Sequence, residues 1–240
     1  MVTWRSLSHR NTSYETAGFV DLPGSVHRLV VSLIGRGETV LEVGCSTGYI
    51  SDRLKLQKQC NVVGIEVDAK AADEARHRVG IPVFVPQGEL PDLPPEYVGH
   101  FDVVLCADVV EHVHDPLQFI EHLKTYASPR GRFIFSIPNI AHWTCRLHLL
   151  QGKWQYTSWG LLDYTHLRFF TFDSFVQLIA ETGLHVTSVH SSCGPIEMYE
   201  FLSRRGLRRC RAGFFRLFRY LSDQFPRLFA LQFVVEARLD

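Results

Sequence analysis

The chain has 240 residues, 46% hydrophobic and 21% charged, with 25 Lys+Arg against 25 Asp+Glu. That length suits one well-cored domain, the composition excludes a disordered chain, and the balanced charge excludes a global basic field for nucleic acid. Six cysteines, at 45, 60, 106, 145, 193 and 210, form no C-x-x-C pair, and the first thirty residues contain no apolar leader, so a cytoplasmic protein with reduced thiols and no membrane span is expected.

In chain order, residues 1–37 read as an N-terminal cap. Thr39 to Val43 is a β-branched-rich strand ended by Gly44, followed by a helix over Tyr49 to Gln57. Asn61 to Glu66 repeats the theme with a helix over Lys70 to Val79. Pro82 to Pro86, Phe101 to Cys106 and Gly131 to Ser136 supply three further strands, with a helix over Pro116 to Ala127 before the last. Continuous apolar strands alternating with helices predict an α/β fold: a Rossmann-like, doubly wound, mostly parallel sheet. Residues 38–138 form its core within a single domain. Residues 139–171 are irregular and aromatic. A helix over Asp173 to Thr182 and strands over Leu184 to Ser191 and Leu228 to Ala237 complete seven strands, the last two as an antiparallel C-terminal hairpin around a basic insertion, 195–226.

The turn after the first strand, Glu42-Val43-Gly44-Cys45-Ser46-Thr47-Gly48, lies where open α/β sheets bind ligands. A dinucleotide cradle needs G-x-G-x-x-G, and Ser46 stands at the middle position. Glu42 would oppose a phosphate and favour a cationic group. Glu66, at the end of the second strand, is placed to accept both hydroxyls of a ribose. A nucleoside carrying a positive charge fits these residues better than a nicotinamide dinucleotide. A plain tight turn with close helix packing would also use both glycines.

These residues, with Val63 to Asp68, Gln87-Gly88-Glu89, Phe101 to Val104 and Asp108-Val109-Val110-Glu111-His112-Val113-His114-Asp115-Pro116, resemble class I S-adenosylmethionine-dependent methyltransferases over about Glu38 to Val189. The last run is similar to the E-H-x-x-D-P segment of the quinone-type and small-molecule branch. The resemblance implies S-adenosyl-L-methionine as cofactor. It places Glu42, Gly44, Cys45, Ser46 and Gly48 around the methionine part, Glu66 on the ribose, Val67 against adenine, Glu89 and Leu90 at the adenine amino group, and Ala107 and Asp108 below the sulfonium.

Methyl transfer from a sulfonium needs alignment and a deprotonated acceptor, so a base is sought among twelve histidines. His9, His27, His77, His100 and His122 fall in ordinary helical or surface contexts. His112 is a base or the partner of Glu111 in a helix-orienting pair. Metal dependence is not expected, since no third ligand accompanies that pair. Residues 139–171 read as a substrate lid, and their Asp-x-Thr-His-x-Arg-x-Phe run resembles methyltransferases found with polysaccharide- and natural-product-forming enzymes. Asp163 and His166, three apart, would meet on a helical turn, the carboxylate raising the basicity of the imidazole. His166 is therefore the candidate base, or else it and Arg168 tie the lid to the sheet.

Residues 201–221 hold seven arginines and no acid; without them the chain carries 18 basic against 25 acidic residues. As a helix, Leu207, Cys210, Phe214, Leu217, Phe218 and Leu221 share one side. Such a helix packs on its own domain or meets an anionic membrane or lipid-linked substrate. Nucleic acid is not expected, because the aromatics share the apolar stripe. The expected activity is O-methylation of a sugar, quinone-like or natural-product small molecule. A non-catalytic cofactor-binding scaffold and an NAD(P)-dependent reductase are the alternatives; oligomeric state is not readable.

Overall fold

A computed structural model describes residues 18–22, 24–88, 90–193 and 208–239. Its seven strands are β1 (Thr39–Val43), β2 (Asn61–Ile65), β3 (Val83–Phe84), β4 (Phe101–Ala107), β5 (Ala127–Pro138), β6 (His185–Cys193) and β7 (Ala230–Arg238). They form one sheet in the order β3-β2-β1-β4-β5-β7-β6. The first five are parallel, and β7 runs antiparallel between β5 and β6. This is the fold class read from the sequence, with the final strand inserted before the penultimate one.

Alternation along the strands divides the core into two layers, as a doubly wound sheet requires. Val40, Val62, Val103, Leu105 and Ile134 face helices α1 (Val26–Leu33), α2 (Tyr49–Lys58) and α3 (Ala69–Val79). Leu41, Val104, Phe133, Phe135 and Phe233 face α4 (Pro116–Lys124) and α6 (Phe172–Glu181). Caps set the helix starts: Ser25 accepts from Arg28 N at α1, Asp68 from Lys70 N and Ala71 N at α3, and Asp115 from Gln118 N at α4. Thr171 and Ser174 cap each other's backbone at α6.

Three stretches differ from the sequence reading. The 139–171 segment contains a helix, α5 (Trp143–Leu150), which its scattered aromatics concealed. The expected last strand starts two residues late, because Pro226 opens a helical turn over Pro226–Phe229. The basic segment folds as α7 (Arg208–Gln224), but residues 201–207 lie outside those described. Within α7, Phe218 meets Phe229 at 6.4 Å and Ser222 is buried, whereas Leu217, expected on the apolar side, is exposed. Among the described residues no helix is long and apolar enough to cross a membrane.

Candidate active site

The turn after β1 is built from left-handed backbone: Gly44, Ser46 and Gly48 have φ of 73°, 48° and 78°. Gly44 N and Cys45 N both donate to Ile65 O, fastening the turn to β2. A Cβ on Gly44 would lie 2.6 Å from Val109 Cγ2, and one on Gly48 2.8 Å from Val79 Cγ2. Gly48 thus makes room for α3, the close-packing role of glycine in such turns. Cys45 is buried with its sulfur against Gly64, so only its backbone can face a ligand.

Glu66 joins two loops. One oxygen accepts from Ser46 N and the other from Asp68 N, each at 2.8 Å. Its remaining lone pairs are available to hydroxyls, and Val67 beside it is half-buried. Glu42 is buried and accepts from Ser51 Oγ. Burial pushes its pKa up to about 8, and burial likewise raises Glu66. Among the described residues neither acid is paired with a base, so the cup offers latent negative charge that a cation would bring out. Glu89 lies outside the described residues; Leu90 packs on the core, and Ala107 packs on the other layer.

Asp108, just beyond β4, takes φ 54°, uncommon for a residue with a side chain. Hydrogen bonds from β5 and β7 hold it there, Asp108 N also reaching Ser136 O at 3.3 Å. Ser136 Oγ and Gln232 Nε2 donate to Oδ1 at 2.7 and 2.8 Å, and Asp108 N donates to Ser136 Oγ at 2.9 Å. The sequence reading missed Ser136 and Gln232, whose partner is remote in the chain. It also set aside His27, which packs against Tyr49 at 4.9 Å; burial lowers its pKa while the charge of Asp108 pulls upward. The N-terminal cap therefore contributes to this edge of the sheet.

The 139–171 segment is stitched onto the turn that follows Asp108. Leu167 N and Arg168 N donate to Glu111 O, Arg168 Nη2 donates to His114 O at 2.7 Å, and His112 Nδ1 lies 3.2 Å from Thr165 O. Arg168 is the tie that the sequence allowed. The rings of His112 and His166 meet edge to face at 4.9 Å. The expected partnership of Asp163 with His166 is not formed. Asp163 Oδ1 accepts from Thr165 N and Thr165 Oγ1 at 2.8 and 2.7 Å, because an amide two residues ahead is the nearer donor. Burial, followed by neighbouring His112, lowers His166 to about 4, and burial also lowers His112. Both imidazoles are neutral near pH 7.

Glu111 is buried, and neither of its carboxyl oxygens has a hydrogen-bond partner. One ligand atom each from Glu111, His112 and His166 lies within 4.8 Å of the others. The third candidate ligand that the sequence did not offer to the Glu111-His112 pair is His166, from the 139–171 segment. Burial pushes the pKa of Glu111 well above the usual carboxylate range; two neutral imidazoles and this unpartnered carboxyl, which a cation would ionise, are a donor set suited to a divalent cation.

A family model described as a methyltransferase domain matches residues 15–189. This chain belongs to the methyltransferase-domain family. The ubiquinone biosynthesis O-methyltransferase of Azotobacter vinelandii is 35% identical over 106 residues, covering 43% of this chain and 45% of that protein. That of Actinobacillus pleuropneumoniae is 32% identical over 110 residues, covering 43% and 47%. This methyltransferase-domain chain thus spans less than half the length of these curated relatives. Among solved structures, magnesium protoporphyrin IX methyltransferase from Synechocystis with bound SAH superposes with a TM-score of 0.60 at 16% identity, covering 90% of this chain and 83% of that one. The [4+2]-cyclase SpnF superposes with a TM-score of 0.59 at 15% identity, covering 92% and 86%. At such identities the likeness shows the fold alone.

Proposed function

We propose that this protein transfers the methyl group of S-adenosyl-L-methionine to a hydroxyl of a small molecule, of the sugar, quinone-like or natural-product kind. The observation carrying this reading is the unpaired acidic cup of Glu42 and Glu66 at the carboxyl edge of β1 and β2, with Asp108 and the His112/His166 pair opening from the neighbouring strand. Glu66 would hold the ribose hydroxyls. Backbone of the Gly44 to Ser46 turn would border the methionyl part, Val67 would cover adenine, and Ala107 with Asp108 would floor the sulfonium. The cofactor supplies an electrophilic methyl group with a neutral thioether as leaving group. The protein contributes alignment and removal of the acceptor proton. His166, neutral and seated on the lid next to His112, offers the lone pair that receives the proton.

A second reading of the same cluster follows from the orphaned Glu111 carboxyl. Glu111, His112 and His166 would hold a divalent cation, which lowers the pKa of a bound hydroxyl and relieves the imidazole of acting as a base. Calorimetry of the purified protein with Mg²⁺, Mn²⁺ and Zn²⁺ tests it. Saturable binding abolished by Glu111→Gln supports the cation, and no heat with any of the three removes it.

For the function itself, the protein is incubated with S-adenosylmethionine and a panel of phenols, catechols and sugars, and products are read by mass spectrometry. A gain of one CH₂ group that depends on His166 is expected. Cofactor binding without any methylated product would favour a scaffold, and saturable NAD binding without S-adenosylhomocysteine binding would favour a reductase.

A further inference from the structure

Residues 146–160 form an unbroken run of fifteen exposed positions. They include Leu147, Leu149, Leu150, Trp154, Tyr156 and Trp159, with Leu150 85% and Trp159 55% exposed. A helix apolar on more than one side is ordinarily buried. Here α5 turns Cys145 inward and presents its leucines outward. The exposure is built into ordered backbone. Thr157 N donates to Leu162 O, Tyr164 N to Thr157 O and Thr157 Oγ1 to Trp159 O, closing the tip on itself.

Charge identifies what would cover this surface. The run contains Arg146 and Lys153 and no Asp or Glu, and neither cation has an acidic partner among the described residues. A second copy meeting the patch face to face would oppose these cations to each other with no acid to relieve them. Leucines, tryptophans, a tyrosine and unpaired cations without acids are the composition of a segment resting among anionic lipid headgroups. The patch also connects to the site: Trp154 and Tyr156 meet Phe169 at 5.5 and 6.2 Å, Phe169 meets His166 at 6.0 Å, and His166 meets His112. Pairing of Pro138 with Gln232 and Cys193 with Ala230 brings both ends of the 194–229 connection to this same sheet edge.

We propose that the 146–160 face of the lid docks on the surface of an anionic lipid bilayer, through its leucines and tryptophans with Arg146 and Lys153 at headgroup level. Docking does not require the methyl-transfer reading. Its corollary rests on that reading: the acceptor is an amphiphile whose hydroxyl lies near the headgroups.

The test is co-sedimentation of the whole chain with phosphatidylcholine vesicles, with and without phosphatidylglycerol, at low salt. Wild type is expected to pellet with the phosphatidylglycerol vesicles. Leu149→Ser/Leu150→Ser/Trp159→Ser is expected to lose at least about tenfold in partition, because it removes most of the apolar contact. Arg146→Gln/Lys153→Gln is expected to lose about 30-fold, and only on anionic vesicles. Both variants should keep wild-type circular dichroism and S-adenosylhomocysteine affinity. Wild type remaining in the supernatant, or the triple variant pelleting like wild type, overturns the proposal. So does a wild-type dimer in sedimentation velocity that the triple variant converts to monomer while vesicles bind neither. Vesicle binding is read without turnover, so its failure and that of methyl transfer are separately visible.

Discussion

The two halves of the site are made differently. The proposed cofactor cup comes from consecutive strand ends, where Gly44, Ser46, Glu66 and Asp68 lie within one pair of βα units and are joined by hydrogen bonds to backbone amides. The proposed acceptor side joins a short turn, Val110–His112, to residues more than fifty positions later, through bonds from Leu167 and Arg168 to Glu111 O and from the His112 ring to Thr165 O. A strand-end cup is dictated by local chain geometry, whereas the stitched segment depends on amides and side chains meeting carbonyls far away in the sequence.

That contrast is broken most sharply by His166→Ala. Turnover is expected to fall by about 10² to 10⁴ with S-adenosylhomocysteine affinity within about twofold, since a base does not hold the cofactor. Wild-type turnover would leave His166 as a fastening of the lid. Glu66→Ala acts on the other half: calorimetry should show cofactor binding weaker by about 1 to 3 kcal/mol, and unchanged affinity would take Glu66 out of the cup.

The acidity of Glu42 sharpens the comparison through pH. Its raised pKa, about 8, keeps it protonated in the free cup at neutral pH, and an adjacent cation favours the ionised form. Binding of S-adenosylmethionine should therefore release a proton and tighten as pH rises from 6 towards 8, by up to about tenfold per unit. Glu42→Gln should flatten that profile; a flat wild-type profile would separate Glu42 from the cation. The same shift makes folding less stable as pH rises from the usual carboxylate range through about 8, because the unfolded chain ionises first. The smallest effect is expected from Gln232→Leu. Losing one bond to Asp108 should cost about 0.5 to 1.5 kcal/mol of transition-state stabilisation, visible as lower kcat/KM with the fold intact by circular dichroism.

Legibility in the sequence follows the same division. The succession of strands and helices and the glycine turn were readable because strand periodicity and turn residues act within a few positions. The Asp163 and His166 pairing failed for a local reason: spacing on a helix was assumed, while Thr165 offered a closer amide and hydroxyl. Gln232, Ser136 and His27 gave no signal, since each acquires its role only when the sheet closes. The orphaned Glu111 could have been suspected from an acid amid Val109, Val110 and Val113, all buried.

β7 carries a consequence for synthesis. A nascent polypeptide can possess every glycine and acid of the proposed nucleoside pocket while Asp108 still lacks the amide of Gln232 that helps hold its unusual backbone angle. Asp108 therefore reaches its described geometry only after the last strand of the chain has been translated and paired between β5 and β6.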